Sequence, residues 1–128
     1  MYRERMETLK EWKVSKNRKP LIIRGARQVG KTWLMKEFGK LYYEKCAYIN
    51  FDNNSRMDIL FNEEFDLDRI IQGLKIESGI NIEPENTLII FDEIQETPNA
   101  LKALKYFYEN ANEYHIVAAG SLLGVAMH

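Results

Sequence analysis

Residues 21–32 read Leu21-Ile22-Ile23-Arg24-Gly25-Ala26-Arg27-Gln28-Val29-Gly30-Lys31-Thr32, and this stretch decides the fold. Its last eight residues spell G-x-x-x-x-G-K-[ST], the pattern of a phosphate-binding loop. The apolar run before it predicts a strand, and the stretch from Trp33 onward predicts a helix. A strand, a glycine-bounded loop and a helix N-terminus together make a nest of backbone N–H groups suited to an anion. In that pattern Gly25, Ala26, Arg27, Gln28, Val29 and Gly30 surround the phosphates. Lys31 reaches the terminal ones, and the Thr32 hydroxyl can ligate Mg²⁺.

The rest of the chain fits around such a loop. At 128 residues it is the size of one ordinary domain, and 45% hydrophobic with 29% charged residues suits a packed core. No apolar stretch approaches the roughly 20 residues of a membrane-spanning helix, and Met1-Tyr2-Arg3-Glu4-Arg5 lacks a signal-peptide core. The single cysteine, Cys46, lies in an apolar segment and reads as a strand residue. These features predict a cytoplasmic protein without membrane contact. The net charge of −1 hides an asymmetry, because residues 1–31 hold ten Lys or Arg against three Glu. That basic segment can favour an anionic nucleotide, meet DNA, or be a solvated helix face.

Periodicity places a helix over residues 2–14 with Met6, Leu9 and Val14 toward the core, then a basic linker to Pro20. Residues 1–19 are thus set apart from a main domain of residues 20–128. Strands follow at Leu21–Arg24, Ala47–Phe51, Thr87–Phe91 and Tyr114–Ala119. Helices fall at about 31–43, through the region 55–78 with Gly79 as its stop, and from Pro98 with Thr97 as cap. Strands alternating with helices imply a parallel sheet covered on both faces, and unbroken runs such as Leu88-Ile89-Ile90-Phe91 suit its centre. The expected class is α/β, with ligands at the carboxyl ends of the strands.

Three polar clusters sit at those ends. Asp92-Glu93 closes the third strand, where Asp92 can serve the Mg²⁺ shell and Glu93 can polarise an attacking water. Two strand-end carboxylates can equally be solvated groups, but the loop about 60 residues upstream gives them a partner. Ser121 follows the fourth strand, where it can sense a γ-phosphate or simply occupy a turn. Asn50 ends the second strand and can hydrogen-bond Glu93, holding it back until a partner binds. Trp33 borders the loop on the adenine side, with packing as the plainer role. Gln95 either supports Glu93 or starts the next loop. His115 and His128 have no metal-ligand spacing with Cys46.

Three blocks together, Ile23 to Thr32, Phe91-Asp92-Glu93-Ile94-Gln95 and Ala119-Gly120-Ser121-Leu122-Leu123-Gly124, resemble the AAA_14 family of AAA-type ATPases. These are prokaryotic P-loop proteins that commonly carry a DUF4143 domain C-terminal to the ATPase module. The resemblance covers residues 20–125. It implies a three-layer αβα core with a parallel sheet ordered 1-4-3-2, and a fifth strand beside the first that this chain does not reach. It also implies ATP and Mg²⁺ as cofactors, ADP as product, and a Walker A pair at Lys31 and Thr32. The Walker B pair would be Asp92 and Glu93, with Ser121 as first sensor. Such ATPases continue into a helical lid and use an arginine supplied in trans by a neighbouring copy. Without them, slow hydrolysis is expected. The alternatives are a nucleotide-gated regulatory module with little turnover, and a DNA-associated role through the basic N-terminal segment. A phosphotransferase lid is disfavoured, because residues 52–86 hold only Arg56 and Arg69.

Overall fold

A computed structural model describes residues 2–25 and 29–121. Helix α1 spans Tyr2–Val14 and strand β1 Leu21–Gly25; helix α2 spans Val29–Tyr42 and strand β2 Lys45–Asn50. Helices α3 (Ser55–Asn62) and α4 (Leu67–Ser78) precede strand β3 (Thr87–Asp92). A short 3₁₀ turn, Ile94–Glu96, leads to helix α5 (Pro98–Asn110) and strand β4 (His115–Ser121). All pairings are parallel, in the order β1-β4-β3-β2. This is the α/β architecture and strand order that the sequence predicts.

The central strands are buried on both faces, which is why they read as unbroken apolar runs. Successive side chains point to opposite faces. Leu88, Ile90, Val117 and Ala119 pack against Leu34, Met35 and Phe38 of α2 and against Met6 and Leu9 of α1. Ile89, Phe91, Ile116 and Ala118 face the other way, against Phe61, Ile70, Leu74, Leu104 and Phe107 of α3, α4 and α5.

Three local expectations need correction. Val14 is 78% exposed, so the buried face of α1 is carried by Met6 and Leu9, with Trp12 edge-on to Phe38 and His115. The region 55–78 is two helices, because Asp66 turns the chain and caps α4 by accepting from the Asp68 and Arg69 N–H groups. Thr97 precedes α5, but its hydroxyl donates to the Asp58 carboxylate (2.9 Å) instead of capping the helix. Gly79 does end α4, in the left-handed conformation (φ 72°) that glycine adopts at least cost.

Cations of the basic N-terminal segment are engaged within the chain. Lys13 donates to the Tyr42 carbonyl and lies over the Tyr43 ring, while Arg18 donates to the Asn112 carbonyl and lies near the Trp12 ring. Cys46 is half-buried on β2, and burial pushes its thiol up to about 11, so it stays protonated near neutral pH. No helix among the described residues is long and apolar enough to cross a membrane.

Candidate functional site

Strand register brings the polar clusters to one edge of the sheet. Gly25 stands beside Ser121, and Asn50 beside Asp92. Because β4 pairs parallel with both β1 and β3, the carboxyl ends of all three lie at the same edge. Residues 30–32 occupy the first turn of α2, directly after the loop, where backbone N–H groups lack intrahelical partners. A Cβ at Gly30 would meet nothing within 4 Å, so the backbone there is open to an approaching group. Ala26, Arg27 and Gln28 lie outside the described residues, as does the side chain of Val29.

Asp92 is the hub. It is 5% exposed, and its Oδ2 accepts from the Thr32 hydroxyl (2.6 Å) and the Tyr48 hydroxyl (2.7 Å), while Oδ1 accepts from the Glu93 N–H (3.0 Å). The two hydroxyl bonds have the short length expected of donors to a carboxylate. Thr32 reaches Asp92 because even-numbered residues of β3 face α2, which starts beside them. Tyr48 shares that face, since it pairs with Ile90 across the β2–β3 ladder. Burial, and then the bond to Asp92, push the Tyr48 phenol well above its ordinary range, so it remains a donor. Lys36 sits 4.1 Å over its ring. Sequence reasoning missed Tyr48; the signal was its even spacing from Asn50, the residue paired with Asp92.

Glu93 takes a left-handed backbone (φ 56°), a strained conformation for a side chain with a Cβ. Its carboxylate accepts from Gln95 Nε2 (2.8 Å), and Gln95 Oε1 accepts from the Ser121 N–H (3.1 Å). Lys31 is buried and donates to the Gly120 carbonyl (3.4 Å). Asn50 stands beside Asp92, with its side chain against the Tyr48 phenol; its Oδ1 accepts from the Asp52 N–H (2.9 Å), its carbonyl accepts from Asn54, and the amide on Glu93 is that of Gln95. Trp33 is half exposed on α2. His115 is buried and shares a hydrogen bond with the Tyr43 hydroxyl (2.6 Å), a packing role away from this edge.

The donor set suits a hard cation. Thr32 and Asp92 supply two oxygens in contact where the first turn of α2 meets the end of β3. Among the described residues no cluster of three or more His, Cys, Asp or Glu forms a self-sufficient metal cage. Mg²⁺ bound through one or two protein oxygens plus substrate phosphates needs no such cage.

No curated protein matches the chain. The family model AAA_14, described as an AAA domain, matches residues 17–128. With a phosphate-loop sequence opening α2 and a carboxylate hub at the adjacent strand end, the chain belongs to the AAA_14 family of AAA domains, a nucleotide-binding, ATPase-type domain.

Proposed function

We propose that this domain binds ATP with Mg²⁺ at the carboxyl edge of its sheet and hydrolyses it, coupling nucleotide state to an attached domain or partner. The observation that carries the reading is the Thr32–Asp92 hydrogen bond, which joins two motifs 60 residues apart through side chains of the kinds that hold a nucleotide's metal. Thr32 and Asp92 would hold Mg²⁺, which when bound neutralises charge on the phosphate oxygens. Residues 25–30 would cradle the phosphates with backbone N–H groups, and Lys31 would neutralise the β- and γ-oxygens.

Glu93 would accept a proton from water as the water oxygen bonds to the γ-phosphorus. The bond from that phosphorus to the bridging oxygen then breaks, giving ADP and phosphate. Ser121, beside the loop at the end of β4, would report on the γ-phosphate. Trp33 would border the adenine side.

Calorimetric titration with ATP, with and without Mg²⁺, tests the reading. Lys31→Ala should weaken binding by about tenfold to a hundredfold, the scale of a lost charged hydrogen bond. Thr32→Ala should remove the Mg²⁺ dependence. Glu93→Gln should keep affinity while lowering hydrolysis by roughly 10²–10⁴. Failure of the wild type to bind Mg-ATP, or equal binding after Lys31→Ala, would overturn it. A second reading, a module whose signal is occupancy rather than turnover, is favoured by one observation: the Glu93 carboxylate is already engaged by Gln95. Under that reading Glu93→Gln changes nothing measurable, whereas under the first it traps ATP.

A further inference from the structure

Gln95 joins two parts of the site that have no covalent neighbourhood. Its carboxamide has one acceptor and one donor face. The acceptor, Oε1, takes the Ser121 backbone N–H at 3.1 Å, which turns Nε2 toward Glu93 Oε1 at 2.8 Å. Because Ser121 offers an N–H and Glu93 a carboxylate, only this orientation of the amide satisfies both. Nε2 also approaches Glu96 Oε2, at 3.4 Å. The bridge runs close against β4: a Cβ at Gly120 would lie 2.5 Å from Gln95 Oε1 and 3.2 Å from Ile94 Cγ2. Glycine at 120 is therefore what lets the carboxamide through. The Gly120 carbonyl in turn accepts from Lys31. A continuous polar path leads from Lys31 through the end of β4 and Gln95 to Glu93.

We propose that Gln95 is a positioning residue that couples the Glu93 carboxylate to the end of β4 at Gly120–Ser121, so that displacement of that strand end by a nucleotide's terminal phosphate changes how Glu93 is held. The proposal rests on the ATPase reading for its functional meaning, but the coupling itself is a property of the free protein. Gln95 does not touch the reacting atoms; it sets where the base sits. The left-handed backbone at Glu93 fits this role, because a strained residue keeps its place only while its partners hold it.

The test reads the Ser121 backbone amide of the full chain by proton–nitrogen NMR, without nucleotide. Glu93→Ala should shift that resonance in the native background and leave it unmoved in a Gln95→Ala background. Gln95→Glu keeps an acceptor for Ser121 but has no proton for Glu93. Combining it with Glu93→Gln exchanges the two groups, and should return the Ser121 resonance toward its native position. Gly120→Ala alters no hydrogen-bonding group and should mimic Gln95→Ala, which covers the case of one variant failing to fold. A Ser121 amide that ignores Glu93→Ala, or responds equally with Ala at 95, overturns the coupling. In turnover assays, Gln95→Ala should lower kcat by about tenfold to a hundredfold with KM little changed. Absence of Mg-ATP binding by the wild type would sink the ATPase reading instead, and the amide measurement would still decide the coupling.

Discussion

At the scale of single residues the site is organised around one buried carboxylate. Asp92 receives two hydroxyls on the same oxygen, and a charge at that depth depends on its donors. Tyr48→Phe removes one donor while keeping the ring beneath Lys36. It should lower unfolding free energy by about 1–3 kcal/mol, read from urea denaturation at neutral pH. An unchanged midpoint would mean that Thr32 and the Glu93 N–H alone satisfy Asp92. Lys31, Thr32, Asp92, Glu93 and Ser121 stand out as candidates in the sequence because each sits at a strand end or a helix start beside a motif, and the structure places Thr32 on Asp92 and Lys31 on the Gly120 carbonyl. Tyr48 and Gln95 were harder to read, for a physical reason: their roles depend on which strand lies beside which, and a tyrosine in a half-apolar strand looks like packing. Asn50 misled in the opposite way. Its place beside Asp92 is right, but the turn after β2 claims its side chain through the Asp52 N–H.

At the scale of elements, α1 is a working part of the core. Leu9 is 2% exposed between α1, α2 and the sheet, so Leu9→Ala should cost about 2–5 kcal/mol, measured by denaturation. Treating residues 1–19 as a detachable basic arm is therefore a poor way to test DNA contact. Reversing the exposed Arg3, Arg5 and Lys16 would test it without opening the core. The same layer holds His115, whose imidazole is pushed down to about 4 by burial, then by the charges of Arg18 and Lys13. In the unfolded chain it returns to an ordinary histidine value near 6.5. Between those values the unfolded state binds more protons, so stability rises with pH, is complete above about 6.5, and falls on acidification toward 4. Denaturation midpoints at pH 7.5 and 5 should separate more for the wild type than for His115→Gln. Helix positions were readable from apolar spacing, and the break at residues 63–66 carries a local signal in Asp66, the cap of α4, whereas the Thr97–Asp58 bond depends on a tertiary contact that no local pattern announces.

At the scale of the whole molecule, the strand order converts sequence distance into proximity. Placing β4 between β1 and β3 leaves the loop and the carboxylate strand one strand apart, close enough for Thr32 to bond Asp92. Strands alternating with helices, together with apolar runs, predict parallel, doubly covered strands; the order 1-4-3-2 came from the motifs' resemblance to a family, since periodicity is blind to which strand neighbours which. A ligand gripping this edge touches β1, β4, β3 and α2 at once, and so should stabilise the fold as a unit. At Mg-ATP concentrations a hundredfold above Kd, the linkage amounts to about 2.7 kcal/mol. For a domain of this size that raises Tm on the order of 10 °C, measurable by differential scanning calorimetry. On the proposed reading Lys31→Ala, acting on binding, should remove roughly half of the shift or more, and Glu93→Gln, acting on the attacking water, should keep it. A shift that survives Lys31→Ala in full would mean that the stabilising nucleotide sits somewhere other than this edge.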